Sequence, residues 1–193
     1  RREIIAATIA AIADGGLADL TLSRITERAA VSRGLVNFHF DSKEQLLVET
    51  LKFLTLEYLQ SWQQALAAAG GRPQDRLNAL IENDFHPSIC NREKVAVWFA
   101  FRGESKSRPT YLEVCNRADI AYDTAMREVM TAIRAEGAYD FDVPMIVAGL
   151  QSQIEGLWLD CLMYPESFDR VRAANIVKTF LSALMPRHVS RPA

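Results

Sequence analysis

Cysteine is scarce and scattered. Only Cys90, Cys115 and Cys161 occur in the 193 residues, and no two form a CxxC pair. That excludes the common zinc spacings and a disulfide framework. The three are read as reduced, mostly buried thiols of a cytoplasmic protein. Histidine is just as sparse, at positions 39, 86 and 188. There is no Glu-x-x-His pair of the kind a di-iron bundle uses, no HExxH, no GxSxG and no phosphate-cradling glycine loop. No metal, cofactor or catalytic group is expected, so the chain is read as not an enzyme. Apolar runs are short as well. Val143–Ile154 is the longest candidate, and it contains Gln151, Ser152 and Gln153, against the ~20 apolar residues a membrane span needs. The opening "RREIIAATIAAIADGG" has no secretory pattern; because it starts at Arg1 and not at Met, a further segment is expected before it. A strong basic excess is missing too, since the formal net charge is −2, so composition alone does not advertise nucleic acid.

Apolar residues are plentiful and fall at helical spacing. They make up 49% of the chain, and charged residues 24%, enough for a large buried core in a globular protein. Ile5, Ile9 and Ile12 recur at steps of four and three until "DGG" at 14–16 stops the pattern. A short helix is expected after Thr21, another over about 33–40, and a long one over about 42–68, before the linker "GGRP" at 70–73. Beyond it the stripes Leu77–Leu80–Ile81–Phe85, ending near Pro87, and Val95–Trp98–Phe99 give two more helices. Pro109 fits the start of a long helix ending at Gly137, Asp142 the cap of the next, and 171–185 the last. Strand alternation and internal repeats are absent. The expected fold class is all-α: an N-terminal three-helix head at 1–45 and a larger helical domain at 46–193.

Two short helices joined by "AAVS" outline a helix-turn-helix. Ile25, Ala29, Val31 and Val36 are expected to close a small core with Ile5 and Ile9, freeing the outer face of the second helix for a major groove. Ser32 can cap that helix and aim its N–H groups at a phosphate or base edge. Arg33 suits a guanine edge or a phosphate, Gly34 clears space for the DNA backbone, and Asn37, one turn on, suits an adenine or a phosphate. Thr21 and Lys43 open the flanking helices and are placed to hold phosphates. Residues 1–45 carry six basic and six acidic side chains, so phosphate binding requires those charges to be segregated.

The segment "TLSRITERAAVSRGLVNFHFDSKEQLL", residues 21–47, resembles the DNA-binding signature of the TetR family of bacterial regulators. It shares a Thr cap, Ile-x-x-x-Ala, Val-Ser before the recognition helix, Gly two residues later, aromatic-x-Phe and Lys. It departs at Ala30, where the family has Gly, and at Asn37 and His39, where it has Tyr. His39 is still expected to reach a phosphate. An alanine forced into a left-handed turn would cost on the order of 1 kcal/mol. Further on, "VWFAF", "RPTYL" and "EGLW" resemble the C-terminal domain of the BetI-type regulators, which respond to choline and its aldehyde.

The resemblance implies a repressor that binds a double-stranded DNA operator and leaves it when a small-molecule effector of choline-like chemistry binds. It also implies a homodimer built on the last two helices. Phe85, Trp98, Phe101, Tyr111, Tyr122 and Trp158 are the candidate effector-binding residues, because aromatic faces attract a quaternary ammonium; at helical spacing most such aromatics serve the core. Glu155 or Asp119 could supply negative charge. Gly149 and Gly156 are seven apart on one helix and admit a close partner helix; Leu150, Leu157, Ile176, Phe180 and Leu184 complete the candidate dimer seam. Glu82, Asp84 and His86 are expected to form a solvated helix end. The competing class is a helical small-molecule-binding protein, or an enzyme with a non-locally assembled site, that does not bind DNA.

Overall fold

The computed structural model describes residues 1–192. Those residues form nine helices and no strand: α1 (Arg2–Gly15), α2 (Leu22–Ala29), α3 (Arg33–His39), α4 (Lys43–Ala68), α5 (Pro73–Asp84), α6 (Arg92–Glu104), α7 (Pro109–Gly137), α8 (Val143–Met163) and α9 (Arg170–Leu184). They group into two compact units. The first joins Arg1–Glu57 to Arg92–Ala118, and the second joins Tyr58–Asn91 to the chain from Asp119 onward.

The first unit contains the helix-turn-helix. Thr21 Oγ1 accepts from the Arg24 backbone N–H at 3.2 Å and starts α2; Ser32 Oγ accepts from Leu35 N–H at 3.2 Å and starts α3. Such caps are each worth about 1 kcal/mol, because they satisfy an otherwise orphaned N–H. Between the two helices Ala30 adopts φ 52°, ψ 41°, and its N–H reaches back to Glu27 O while Val31 N–H bonds Thr26 O at 3.1 Å. This is a left-handed helix end, the geometry a glycine normally supplies. Ile4, Ile5, Ile9 and Ile12 of α1, together with Leu20, Ile25, Val36, Phe40 and Leu46, are buried to 6% exposure or less. Ala29 and Val31, expected inside, are only half buried, because the left-handed turn carries them toward the rim. Packed on α1 is α6, which buries Val95, Val97, Trp98 and Phe101.

The second unit is a bundle built from the end of α4, α5, most of α7, α8 and α9. Leu77, Leu80 and Ile81 of α5, Met126, Val129, Met130 and Ile133 of α7, Val147 of α8 and Val177 of α9 are fully buried. Asp142 caps α8 by accepting from Met145 N–H at 2.7 Å, and Asp169 caps α9 by accepting from the Val171 and Arg172 N–H groups. Helix α5 stops at Asp84, three residues short of Pro87, since Phe85 has already left helical geometry at ψ 9°.

Candidate DNA-reading head and effector site

On the outer side of α3, Arg33, Gly34, Asn37 and Phe38 are exposed, while Val36 and Phe40 point into the head. Arg33 has no ion pair among the described residues. Other arginines of the head are engaged elsewhere: Arg28 pairs with Asp14 at 2.6 Å, Arg1 with Glu49 at 2.6 Å, and Arg24 donates to the Asp19 carbonyl at 3.1 Å. These contacts occupy three of the head's arginines away from α3 and leave Arg33 as an exposed guanidinium on its outer side. Thr21 and Ser32 are exposed at their helix starts. His39 is half buried and meets the Phe38 ring edge-on at 5.2 Å. Lys43, at the start of α4, donates its ammonium to the Leu20 carbonyl, so it braces the head from within. Ser42 Oγ accepts from Gln45 N–H at 3.0 Å, and Gln45 Oε1 accepts from Asp41 N–H, a reciprocal cap that fixes the entry into α4.

The six aromatic candidates divide between the units. Trp98, Phe101 and Tyr111 belong to the first. The Phe101 and Tyr111 rings meet edge-on at 4.9 Å, Arg102 lies over Trp98 at 4.9 Å, and Arg108 lies over Tyr111 at 5.4 Å. Arg108 also holds Glu44 at 2.5 Å. Phe85, Tyr122 and Trp158 belong to the second unit, all buried.

In the second unit a carboxylate lies inside an aromatic enclosure. Asp84 is fully buried. It accepts hydrogen bonds from Tyr58 Oη at 2.7 Å and Tyr122 Oη at 2.5 Å, and its backbone carbonyl accepts from Trp158 Nε1 at 2.9 Å. The Tyr58 ring lies 5.6 Å from Tyr122 and 5.9 Å from Trp158, and Trp62 meets Tyr122 edge-on at 5.8 Å. Beside it, Asn83 Oδ1 accepts from Ser61 Oγ at 2.5 Å, while Asn83 Nδ2 and Trp62 Nε1 are buried without a hydrogen-bond partner among the described residues.

Burial raises the Asp84 carboxyl to about 7, against the pull of the two tyrosine hydroxyls, which favour the charged form. The same burial, with Asp84 alongside, pushes both tyrosines well above their usual range.

The expectation of a solvated helix end at Glu82, Asp84 and His86 is therefore corrected. Glu82 and His86 are exposed, with Glu82 paired to Lys178 at 2.8 Å, but Asp84 is inside. Residues two apart on a helix face different sides, and it is the middle residue that turns inward. Tyr58 and Trp62 fall within the long helix expected over about 42–68. Nothing in their spacing ties them to Asp84, 26 and 22 residues away.

On α8, Gly149 and Gly156 are exposed, and a Cβ built on either meets nothing within 4 Å. Leu157 and Ile176 are half buried, and Phe180 and Leu184 are 62% and 45% exposed. Leu150, named with them, faces the interior of its own unit at 4% exposure. Among the described residues no helix is long and apolar enough to cross a membrane, and no cluster of potential metal ligands occurs.

Residues 4–50 match the family of bacterial regulatory proteins of the TetR type, and residues 73–186 match the C-terminal domain of BetI-type transcriptional repressors. The chain is 29% identical over 185 residues to the HTH-type transcriptional regulator BetI of Yersinia pestis (strain Pestoides F), covering 94% of this chain and 90% of that protein. It superposes on a transcriptional regulator of Pseudomonas aeruginosa PAO1 with a TM-score of 0.83 at 26% identity, covering 96% of this chain and 89% of the other. A transcriptional regulator of Saccharomonospora viridis, crystallised in complex with choline, shares the fold with a TM-score of 0.83 at 20% identity, covering 94% of each chain. The helix-turn-helix, the all-helical body and the two family matches together show that the chain belongs to the TetR family of transcriptional regulators, with a BetI-type repressor C-terminal domain.

Proposed function

We propose that this regulator is a homodimeric repressor whose hold on its operator is released by a small organic cation of the quaternary-ammonium class. The observation that carries the effector class is the buried Asp84 carboxyl with Tyr58, Trp62, Tyr122 and Trp158 around it. A quaternary ammonium cannot donate hydrogen bonds. Its recognition needs aromatic faces and one compensating negative charge, and a desolvated cation–π contact contributes about 2 kcal/mol. Here two tyrosines already satisfy the carboxylate oxygens, so the incoming cation supplies charge and need not supply donors. The regulator from Saccharomonospora viridis, with choline bound in the same fold, supports this class. Of the six aromatic candidates, Tyr122 and Trp158 line the proposed site and Phe85 adjoins Asp84 in sequence; Trp98, Phe101 and Tyr111 serve the core of the first unit.

Arg33, Asn37 and Gly34 on α3 would enter the major groove, with Thr21, Ser32, His39 and Lys43 toward the phosphates. The exposed glycines of α8 and the apolar side chains of α9 would form an isologous seam, giving two heads suited to half-sites about 34 Å apart or a multiple. Helix α4 runs unbroken from Lys43 to Ala68 and carries Tyr58 and Trp62, so the effector would act on a helix that begins at the head. Release requires the effector to bind the DNA-incompetent state more tightly than the competent one.

The test is an operator titration by fluorescence anisotropy, with and without choline, its aldehyde and a neutral isostere. The expected result is salt-dependent binding that only the cations weaken. Equal effects of cation and neutral isostere would refute the effector class.

A further inference from the structure

Helix α3 presents an apolar group where its polar candidates stand. Phe38 is 81% exposed, more than any other large apolar side chain among the described residues, and Leu35, three residues earlier, is 42% exposed. A phenylalanine left in water forgoes a large part of its burial free energy. Among the described residues its one ring neighbour is His39 at 5.2 Å, on its edge.

What would cover it follows from its neighbours on the same short helix. Asn37, immediately before it, and Arg33, at the start of the helix, are both exposed, and Gly34 adds no side chain. A membrane surface or a protein partner would be met by a broader apolar area, but Phe38 and Leu35 share their short helix with an exposed guanidinium and an exposed carboxamide. A major groove offers the matching mixture: acceptors and donors on base edges, and one apolar group, the C5 methyl of thymine. Asn37 is suited to the N6 and N7 of adenine, whose pairing partner is thymine.

The geometry points to Phe38 as a specificity-determining residue. Its ring packs on a thymine methyl in each operator half-site, with Leu35 extending the apolar contact. This rests on the operator-binding function proposed above. Phe38 thus selects A·T pairs by a contact that no hydrogen bond duplicates, which gives a head of balanced charge a sequence preference independent of phosphate attraction.

The test uses the full-length protein. Binding sequences are selected from a random double-stranded pool, and each thymine of the selected operator is replaced in turn by deoxyuridine, which removes only the methyl. The wild type is expected to lose about fourfold in affinity at one thymine per half-site, the worth of about one buried methyl group. Phe38→Ala is expected to bind the thymine and uracil operators equally, with an unchanged dependence on salt, and Phe38→Leu to retain part of the discrimination. Since Phe38 is exposed, both variants should keep the wild-type melting temperature. If Phe38→Ala still tells thymine from uracil as the wild type does, or if no thymine is methyl-sensitive, the assignment is overturned while operator binding stands. If no sequence is enriched and no salt-dependent binding is found, both fail together.

Discussion

Tyr122 donates its hydroxyl hydrogen to Asp84 across 2.5 Å, joining the middle of α7 to the last residue of α5 inside the second unit. With Tyr58 donating to the other carboxylate oxygen, it holds an acid whose ionisation is opposed by burial and favoured by two donors. Those opposing effects leave the carboxyl poised near neutrality, at about 7.

The Asp84 titration gives the first prediction. Its folded value of about 7 lies above the ordinary 3.8, so between those values the native state binds more protons than the unfolded chain. Stability then falls as pH rises through that window and levels off above it. The melting temperature of the ligand-free wild type should drop from pH 5 to pH 8 more than that of Asp84→Asn, measured by differential scanning calorimetry. Affinity for a quaternary ammonium should rise over the same range, because the bound form needs the ionised carboxylate. Calorimetry at pH 6.5 in two buffers of different ionisation enthalpy should register proton release on binding by the wild type. Asp84→Asn should bind at least tenfold more weakly and release none.

Ala30 carries a backbone strain that a single change relieves. At φ 52° it occupies the left-handed region, where the alanine Cβ costs on the order of 1 kcal/mol and glycine does not. Ala30→Gly should raise the unfolding free energy by about that amount, read from the urea midpoint at unchanged slope. Operator affinity should stay the same, since residue 30 lies in the turn and not on the outer face of α3.

Arg33 stands exposed on α3 without an ion pair among the described residues, so its truncation should cost binding and nothing else. Arg33→Ala is expected to weaken operator binding by roughly ten- to a hundredfold, as for a base-edge contact. If Arg33 holds a phosphate instead, the loss is smaller, it is uniform across sequences, and the salt slope falls by about one. Anisotropy titrations at several salt concentrations separate the two.

The apolar surface of α9 predicts its own disruption. Phe180 is 62% exposed, and in the proposed dimer it is buried against a second copy. Phe180→Asp should shift the particle mass measured by multi-angle light scattering from dimer toward monomer. The isolated chain's helicity should not change. A wild-type monomer at micromolar concentration would remove the seam from consideration.

The helix-turn-helix was legible because everything that specifies it is local. Thr21 and Ser32 cap helices that begin one residue later, and a left-handed turn needs only the residues beside Ala30. Helix boundaries further on followed from Pro109, Gly137 and Asp142 for the same reason. Ala29 and Val31 show the limit even there: periodicity placed them in the core, and the turn geometry moved them to its rim. The aromatic candidates show a larger one. Six residues of one chemical type stood along the chain as candidates, and three turned out to lie in the first unit, two of them, Trp98 and Tyr111, under arginines.

By itself, then, the sequence determined the all-helical class, the caps, the turn and the signature of the regulator family, all of which depend on residues within a few positions of one another. Only the tertiary structure decided that Asp84 is inside while Glu82 and His86 are outside, that Tyr58 and Tyr122 converge on it from α4 and α7, and that Phe38 stands uncovered. Helical spacing fixes which side of a helix a residue occupies. Which side becomes the interior depends on every other helix that packs there, and a buried carboxyl is tolerated only where distant partners supply its hydrogen bonds.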